Sequence, residues 1–524
     1  MKPVIRSSPR RLAPALLAGI ALLVPLGVGT ALACRWELES IPYEALIEGL
    51  RAADATTRAR SAQFLGLRTE RDAVPALIAV VQGPEEDPAV LSAAYFALGQ
   101  IGEPSALPVL KDCVTSEDRP ELRADCLTAL GDLHDPDALA PVLDAYRNEA
   151  SPLVRGRAVD VLGSFPDAAA VAPLAALATD GDADAALRQR AVQALGRTGM
   201  AEAAAPLLAT LAHPVDAAEL VPTVRSLGEI RAKEAAKPLE ALLAQTSDPR
   251  IKAEIVIALG AISDGSSYPT LLAMLDDPVP ALRYLAIESL HALGKPEAAG
   301  PLNRTATAMA EEIRQGLGDP EGSPARLVVL ARTLSAALRA LIDLDAAAGA
   351  AAMIATATLP EIDAASTPLL VVKTELFESR RIALHGLGSA RTAAAAEVLR
   401  GPAGVGEADY RLRAVAVRSL AISGEPEAAA QIAPYLDDQA AEVRWMAALS
   451  LGRLGDRAAA AALGGGLDDE NARVRREATL ALGYLGDSSQ RAQLVALAEG
   501  DPSRQVREAA SYALQLIDEA EATP

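Results

Sequence analysis

Aromatic residues are scarce in this 524-residue chain: four Phe, two Trp and nine Tyr make up 3% of it. That is too few for a stacking platform for bases or for a large flat cofactor, so a core has to come from Ala, Leu and Val. Histidine is rarer still. His134, His213, His291 and His385 stand far apart, and none belongs to a His-Glu pair or an HExxH spacing, which excludes the helical zinc arrangement. His291 and His385 follow a recurrent leucine, where a side chain can cap helix-end carbonyls. No phosphate loop is present either. Gly464-Gly465-Gly466 lacks the following Lys-Ser/Thr and reads as a loosened helix. No Ser/His/Asp or Cys/His grouping has a usable spacing, so no catalytic, cofactor or metal-binding residue is expected.

Positive charge is also in deficit. Lys and Arg number 49 against 69 Asp and Glu, a net charge of -20, which repels nucleic acid and anionic lipid as a whole and favours a basic or neutral protein as partner. Cysteine is limited to Cys34, Cys113 and Cys126.

The first 33 residues read as an export signal. Lys2, Arg6, Arg10 and Arg11 form a basic start, an uncharged apolar stretch runs from Leu12, and Ala31-Leu32-Ala33 fits the small-residue cleavage rule. The rival reading is an uncleaved anchor, since residues 12–33 are just long enough to span a bilayer; Pro14, Pro25 and the cleavage site favour removal. Cys34 follows the cut directly, at the place where bacterial lipoproteins carry their acylated cysteine. The lipoprotein pattern prefers Leu three residues before that cysteine, where Ala31 stands here. Cys34 is therefore a candidate lipidation site, and its acylation would leave an even pair. Cys113 and Cys126 fall on apolar slots of successive elements, as a candidate disulfide or as two buried thiols.

What the chain has in abundance is repetition. A leucine recurs at Leu65, Leu98, Leu130, Leu162, Leu195, Leu227, Leu259 and Leu290, in steps of 31 to 33 residues, followed by glycine at each except Leu290, where His291 stands. A proline keeps the same beat at Pro75, Pro108, Pro141, Pro173, Pro206, Pro238, Pro269 and Pro301. Two residue types locked to one period mean one supersecondary unit per step, stacked on the next. In the unit 472–503, Val474, Ala478, Ala481 and Leu485 form the apolar stripe of a first helix, Gly486-Asp487 interrupts it, and a second helix runs from about Ser489 to Gly500. The proline falls at the start of the second helix, where its missing N–H costs nothing, with Asp72, Ser105 and Asp137 as candidate caps.

A third register lies eight residues before the leucine, where an aliphatic residue precedes a cation: Arg123, Arg155, Arg188, Arg283, Arg413, Arg444, Arg475 and Arg507, with Lys252 in the same place. Asp277, Asp438, Asp469 and Asp501 stand six residues before four of these cations. Because acids travel with bases, the arginines are expected to form a structural ladder, bonding helix-end carbonyls or the junction aspartates; the rival reading is a cationic stripe for an anionic ligand.

With these registers the chain resembles HEAT repeats, in particular the short HEAT-like units named after phycobilisome lyases, and residues 474–487 are the closest match. The resemblance implies an all-α fold, an α-α superhelix or solenoid of helical hairpins, and leaves the task open, because fold does not fix function. It also sets a contrast with the iron-binding HEAT-repeat hydroxylases, whose repeated His-Glu motifs are missing here.

The expected organisation is a signal peptide over 1–33, a capping helix over 34–55, repeats over 56–309, irregular or degenerate repeats over 310–376 where the landmarks vanish, and repeats over 377–524. The expected function is a non-enzymatic, monomeric scaffold of the bacterial cell envelope, in the periplasm or at the cell surface, without cofactor. It would hold another protein on a concave face made by the second helices, or on 310–376, and touch membrane only through Cys34 or an uncleaved signal. An accessory or lyase-like protein handling a chromophore or cofactor, and an envelope-structural lipoprotein, are the alternatives.

Overall fold

The computed structural model describes residues 41–522 apart from 216, 264, 320–321 and 363–366. The expected signal over 1–33 and Cys34 lie outside the described residues. Every regular element among those described is helical, so the fold is all-α, an α-α superhelix of stacked hairpins. The chain divides into two compact units, Met1–Gln245 and Thr246–Pro524. In both, the first helices of successive hairpins pack on one another while the second helices cover one side.

The unit with the clearest pattern shows how local sequence makes a hairpin. Asn471 accepts a hydrogen bond from the Arg473 N–H at 2.9 Å and starts the first helix, Ala472–Leu485. Gly486 ends it in the left-handed region at φ 60°. The second helix follows as Arg491–Gly500. The capping helix is shorter than expected, Tyr43–Gly49, because Asp54 caps a new first helix at Ala55–Leu67. The expected caps of the second helices are corrected too: Asp72, Ser105 and Asp137 sit inside short 3-10 turns that precede those helices. Pro173 lies within its helix, Ala168–Ala178, rather than at the start.

The glycine after the landmark leucine has a steric cause. A Cβ on Gly483 would lie 2.7 Å from the Cα of Ala513 in the next first helix, and one on Gly99 would lie 2.7 Å from the Cα of Ala129. Main chains of neighbouring first helices therefore touch, closer than any larger side chain allows. Where serine replaces the alanine it ties the helices together: Ser226 Oγ donates to the Val192 carbonyl at 3.0 Å, and Ser289 Oγ to that of Val256 at 3.1 Å. The second helices contact one another far less. Within each unit the first helices are thus the close-packed, inner row, which corrects the expectation that the second helices make the concave face.

Hairpin stacking also continues where the landmarks vanish. Ala299–Leu317, Pro324–Asp345, Ala350–Ala357 and Thr367–Ala390 alternate as second and first helices, but up to 24 residues long. The landmark there is Leu387-Gly388, three residues after Leu384 at the expected place. A Cβ on Gly388 would meet the Ser419 Cα at 2.9 Å, as its counterparts do.

The arginines join consecutive hairpins. Arg413 meets both carboxylate oxygens of Asp438 at 2.7 and 2.9 Å and donates backwards to the Glu407 and Ala408 carbonyls at 2.6 and 3.2 Å. Arg444 repeats this with Asp469 (2.7 and 3.0 Å) and with the carbonyl of Asp438 (3.0 Å). Arg475 does so with Asp501 (2.8 and 3.0 Å) and with the carbonyl of Asp469 (2.8 Å). Each acid thereby takes one arginine on its carboxylate and the next on its main-chain oxygen. The carboxylate accepts a main-chain N–H as well, Ala440 on Asp438 and Asn471 on Asp469, so the buried charge is satisfied. Arg123 pairs with Glu149 at 3.0 Å and Arg188 with Glu219 at 2.9 Å. Arg507 keeps only the carbonyl half, to Asp501 at 2.6 Å, and Arg283 stands 3.7 Å from Glu312.

Arg155 departs from the expectation: it makes no such bond among the described residues, and Gly181 stands 26 residues on, where Glu149 stands relative to Arg123. Arg58 and Arg380, which carry no aliphatic residue in front, belong to the ladder through Glu85 and Glu407. In Pro88–Ile101, where Leu91 takes the arginine place, Arg119 from the next hairpin donates to the Glu86 carbonyl at 3.0 Å.

Two predictions follow from this packing. Gly→Ala raises helix propensity by about 0.5–1 kcal/mol at an open site, and Gly465 has nothing within 4 Å. Gly465→Ala should hold or raise the thermal midpoint, whereas Gly483→Ala should lower stability by about 1–3 kcal/mol; a gain at both sites would contradict the contact. The second concerns acid. The Arg475 guanidinium holds the Asp501 carboxyl below its usual range against the opposing effect of burial, and Arg123 does the same to Glu149. A carboxyl that titrates lower when folded contributes fully above its unfolded value of about 4 and loses that contribution as pH falls through the folded value. Urea midpoints should therefore fall below about pH 4.5, with a shallower slope in Asp501→Asn; identical slopes would remove the ladder's role.

Candidate functional site

The ladder arginines named from sequence lie at hairpin junctions, and none lines the grooves described below among the described residues. Cys113 and Cys126 are joined as a disulfide linking the second helix Leu107–Ser116 to the first helix Pro120–Asp132. The histidines do not come together. His134 Nδ1 lies 2.6 Å from the Asp132 carbonyl, and His291 Nε2 contacts Asp343 at 3.0 Å, a carboxylate instead of the expected helix-end carbonyl. His385 is inside Thr367–Ala390, and burial, then Arg418 and Arg381, push its pKa down. No group of three His, Cys, Asp or Glu among the described residues is arranged to hold a metal. No helix among them is long and apolar enough to cross a membrane.

Open space lies along the first-helix row. In Met1–Gln245 two grooves of about 640 and 610 Å³ share Thr128, Asp132 and Arg157 and form one trough. Its walls mix polar residues with alanines: Gln63 and Arg60 at one end, Gln193 and Arg197 at the other, with Phe96 half-buried between. Gln100 donates to Asp132 at 2.9 Å and Arg197 to the Asp160 carbonyl at 3.0 Å, while Arg60 and Arg157 have no partner among the described residues. The alanines and serines between them are small because the helices are close.

In Thr246–Pro524 the same row carries aromatic residues. A groove of about 520 Å³ has Tyr284, Leu285 and Val329 in its floor, with Tyr284 38% exposed, and the Arg332–Glu375 pair at its rim. The Arg473 guanidinium lies 3.6 Å over the Trp445 ring. A groove of about 420 Å³ follows between Arg476, Leu480, Glu508 and Tyr512, and Tyr484 and Tyr512 are 59% and 46% exposed. Tyr, Trp and Arg on a rigid surface are the residues that carry most energy at protein interfaces. Sequence reasoning missed this set, although its signal was present: Trp445 and Tyr484 sit on first helices, seven residues before and one after a landmark glycine, in slots that the ladder and core leave outward.

The HEAT-repeat family matches residues 43–131, 139–220, 222–291, 403–479 and 465–524. A comparison with curated proteins finds no match. Among solved structures, Kap121p bound to Nup53p is similar over 93% of this chain and 60% of its own, at 14% identity and a TM-score of 0.50. Kap95p with RanGDP covers 97% of this chain and 80% of its own at 13% identity and 0.46. Human deoxyhypusine hydroxylase covers 79% and 96% at 20% identity and 0.21. At these identities the likeness concerns fold alone. The repeats matched in both units, and the hairpin stacking within each, make this chain a member of the HEAT-repeat family.

Proposed function

We propose that the chain is a non-enzymatic scaffold of the bacterial cell envelope that holds another protein along its inner first-helix row. The observation that carries this reading is the set of grooves and outward Tyr, Trp and Arg on the first helices of each unit. Extended rigid surfaces of this kind suit a long partner segment. The basic start, the small-residue cleavage site at 31–33 and the Cys113–Cys126 disulfide support an exported protein in an oxidising compartment. Membrane attachment then comes through acylation of Cys34 or through an uncleaved signal. The protein acts as a monomer, and its net charge of -20 disfavours nucleic acid.

Crosslinking in intact cells, followed by purification from envelope fractions and mass spectrometry, should retrieve one protein in stoichiometric amount, with crosslinks on first helices. Cys34→Ser should shift the scaffold from the membrane to the soluble envelope fraction. Repeated recovery without a partner, or crosslinks confined to second helices, would overturn the reading.

A further inference from the structure

We infer that the first-helix face of Thr246–Pro524 takes an extended acidic segment of the partner protein, with carboxylates on Arg339, Arg418, Arg453 and Arg473 and an apolar side chain in the groove floored by Tyr284 and Val329. This rests on the scaffold reading and names the class of partner.

The four arginines are exposed, and no carboxylate stands within ion-pair distance of any of them among the described residues. They differ in this from Arg413, Arg444 and Arg475 of the ladder, whose forks are filled. The acids beside them are already engaged, Glu375 by Arg332 and Glu378 by Arg381. Exposed acids without an ion-pair partner remain on this stretch at Glu288 and Glu442, fewer than the four arginines. His385 sits between Arg381 and Arg418, and burial first, then these two arginines, disfavour its cationic form. In the trough of Met1–Gln245, by contrast, Asp160 takes both Arg190 and Arg197, and Asp125 and Asp132 line the same walls. The positive face therefore belongs to one unit of a chain whose net charge is negative.

That net charge points to a basic or neutral partner only when averaged over the surface. At physiological salt, charges more than about 8 Å away are largely screened, so a segment lying in the row responds to the face it touches. Arg473 is preorganised for such contact, since the Trp445 ring holds its plane while its N–H groups stay free for a carboxylate. Packed helices lie about 8–10 Å apart, so the row from Pro280–Leu293 to Arg504–Ala522 matches roughly 16 residues of extended chain.

The test uses the full mature chain and a fluorescein-labelled 16-residue peptide of Glu with Leu or Phe at every fourth position, read by anisotropy at physiological salt. Saturable binding is expected, together with a change in Trp445 emission. The double substitution Arg418→Glu/Arg453→Glu should weaken it at least tenfold, and Arg60→Glu in the other unit less than twofold. Both sites are exposed, and unchanged circular dichroism and thermal midpoint confirm folding. Tighter binding of the same peptide with Lys in place of Glu, displacement by a 16-nucleotide oligo-dT, or no effect of the double substitution would overturn the proposal. A cellular partner whose crosslinks fall only on Met1–Gln245 would remove it while leaving the scaffold reading in place.

Discussion

Main-chain contact between successive first helices is the constraint on which the rest of this structure depends. At Gly66, Gly99, Gly452 and Gly483 a Cβ would come within 3 Å of the alanine on the next first helix. Packing at that range leaves no room for intervening side chains, so the core is finished by Ala, Leu and Val and needs few aromatic rings. It also separates the roles of the two rows. The first helices are close and present grooves; the second helices stand further apart and shield the leucines beneath.

The ladder answers a problem that stacking creates. Each hairpin junction leaves carbonyl groups at a helix end half-buried, and successive junctions have to be held to one another by side chains. One arginine serves both ends, its Nη1 on carbonyls and its other nitrogens on a carboxylate one repeat onward. From Arg380 through Glu407, Arg413, Asp438, Arg444, Asp469, Arg475 and Asp501 to Arg507 these links are continuous. Because the forks of Arg413, Arg444 and Arg475 are occupied, positive charge available for a ligand has to come from elsewhere. It comes from arginines such as Arg418 and Arg453, on the outward slots of the same helices.

Period and hairpin were legible in the sequence because they rest on residues with one physical duty: a leucine that must be buried, a glycine that must lack a Cβ, an arginine that must span a junction. Leu387-Gly388 and Arg380 were hidden because longer helices shift the beat by three residues and Ser379 stands where an aliphatic residue marks the register. Arg58 was hidden in the same way by Thr57. The choice of inner row was not legible, since apolar periodicity says which side of a helix is buried and not which row of helices lies closer. Caps were misread because Asp and Ser near a proline suit a 3-10 turn as well as an N-cap.

A HEAT-repeat solenoid gives its surface little energy of its own to spend on ordering, because the core lies between neighbours and the inner face is left free to vary. Polar small residues in one unit and Arg with Tyr and Trp in the other are two different uses of that freedom. Hydrogen–deuterium exchange on the intact chain reads the underlying constraint directly, since an amide in a close-packed helix opens only with the whole unit. Amides of first helices around Leu98, Leu451 and Leu482 should exchange slowest, and those of second helices such as Leu107–Ser116 and Arg491–Gly500 clearly faster. Equal protection in both rows, or slower exchange in the second, would contradict the account.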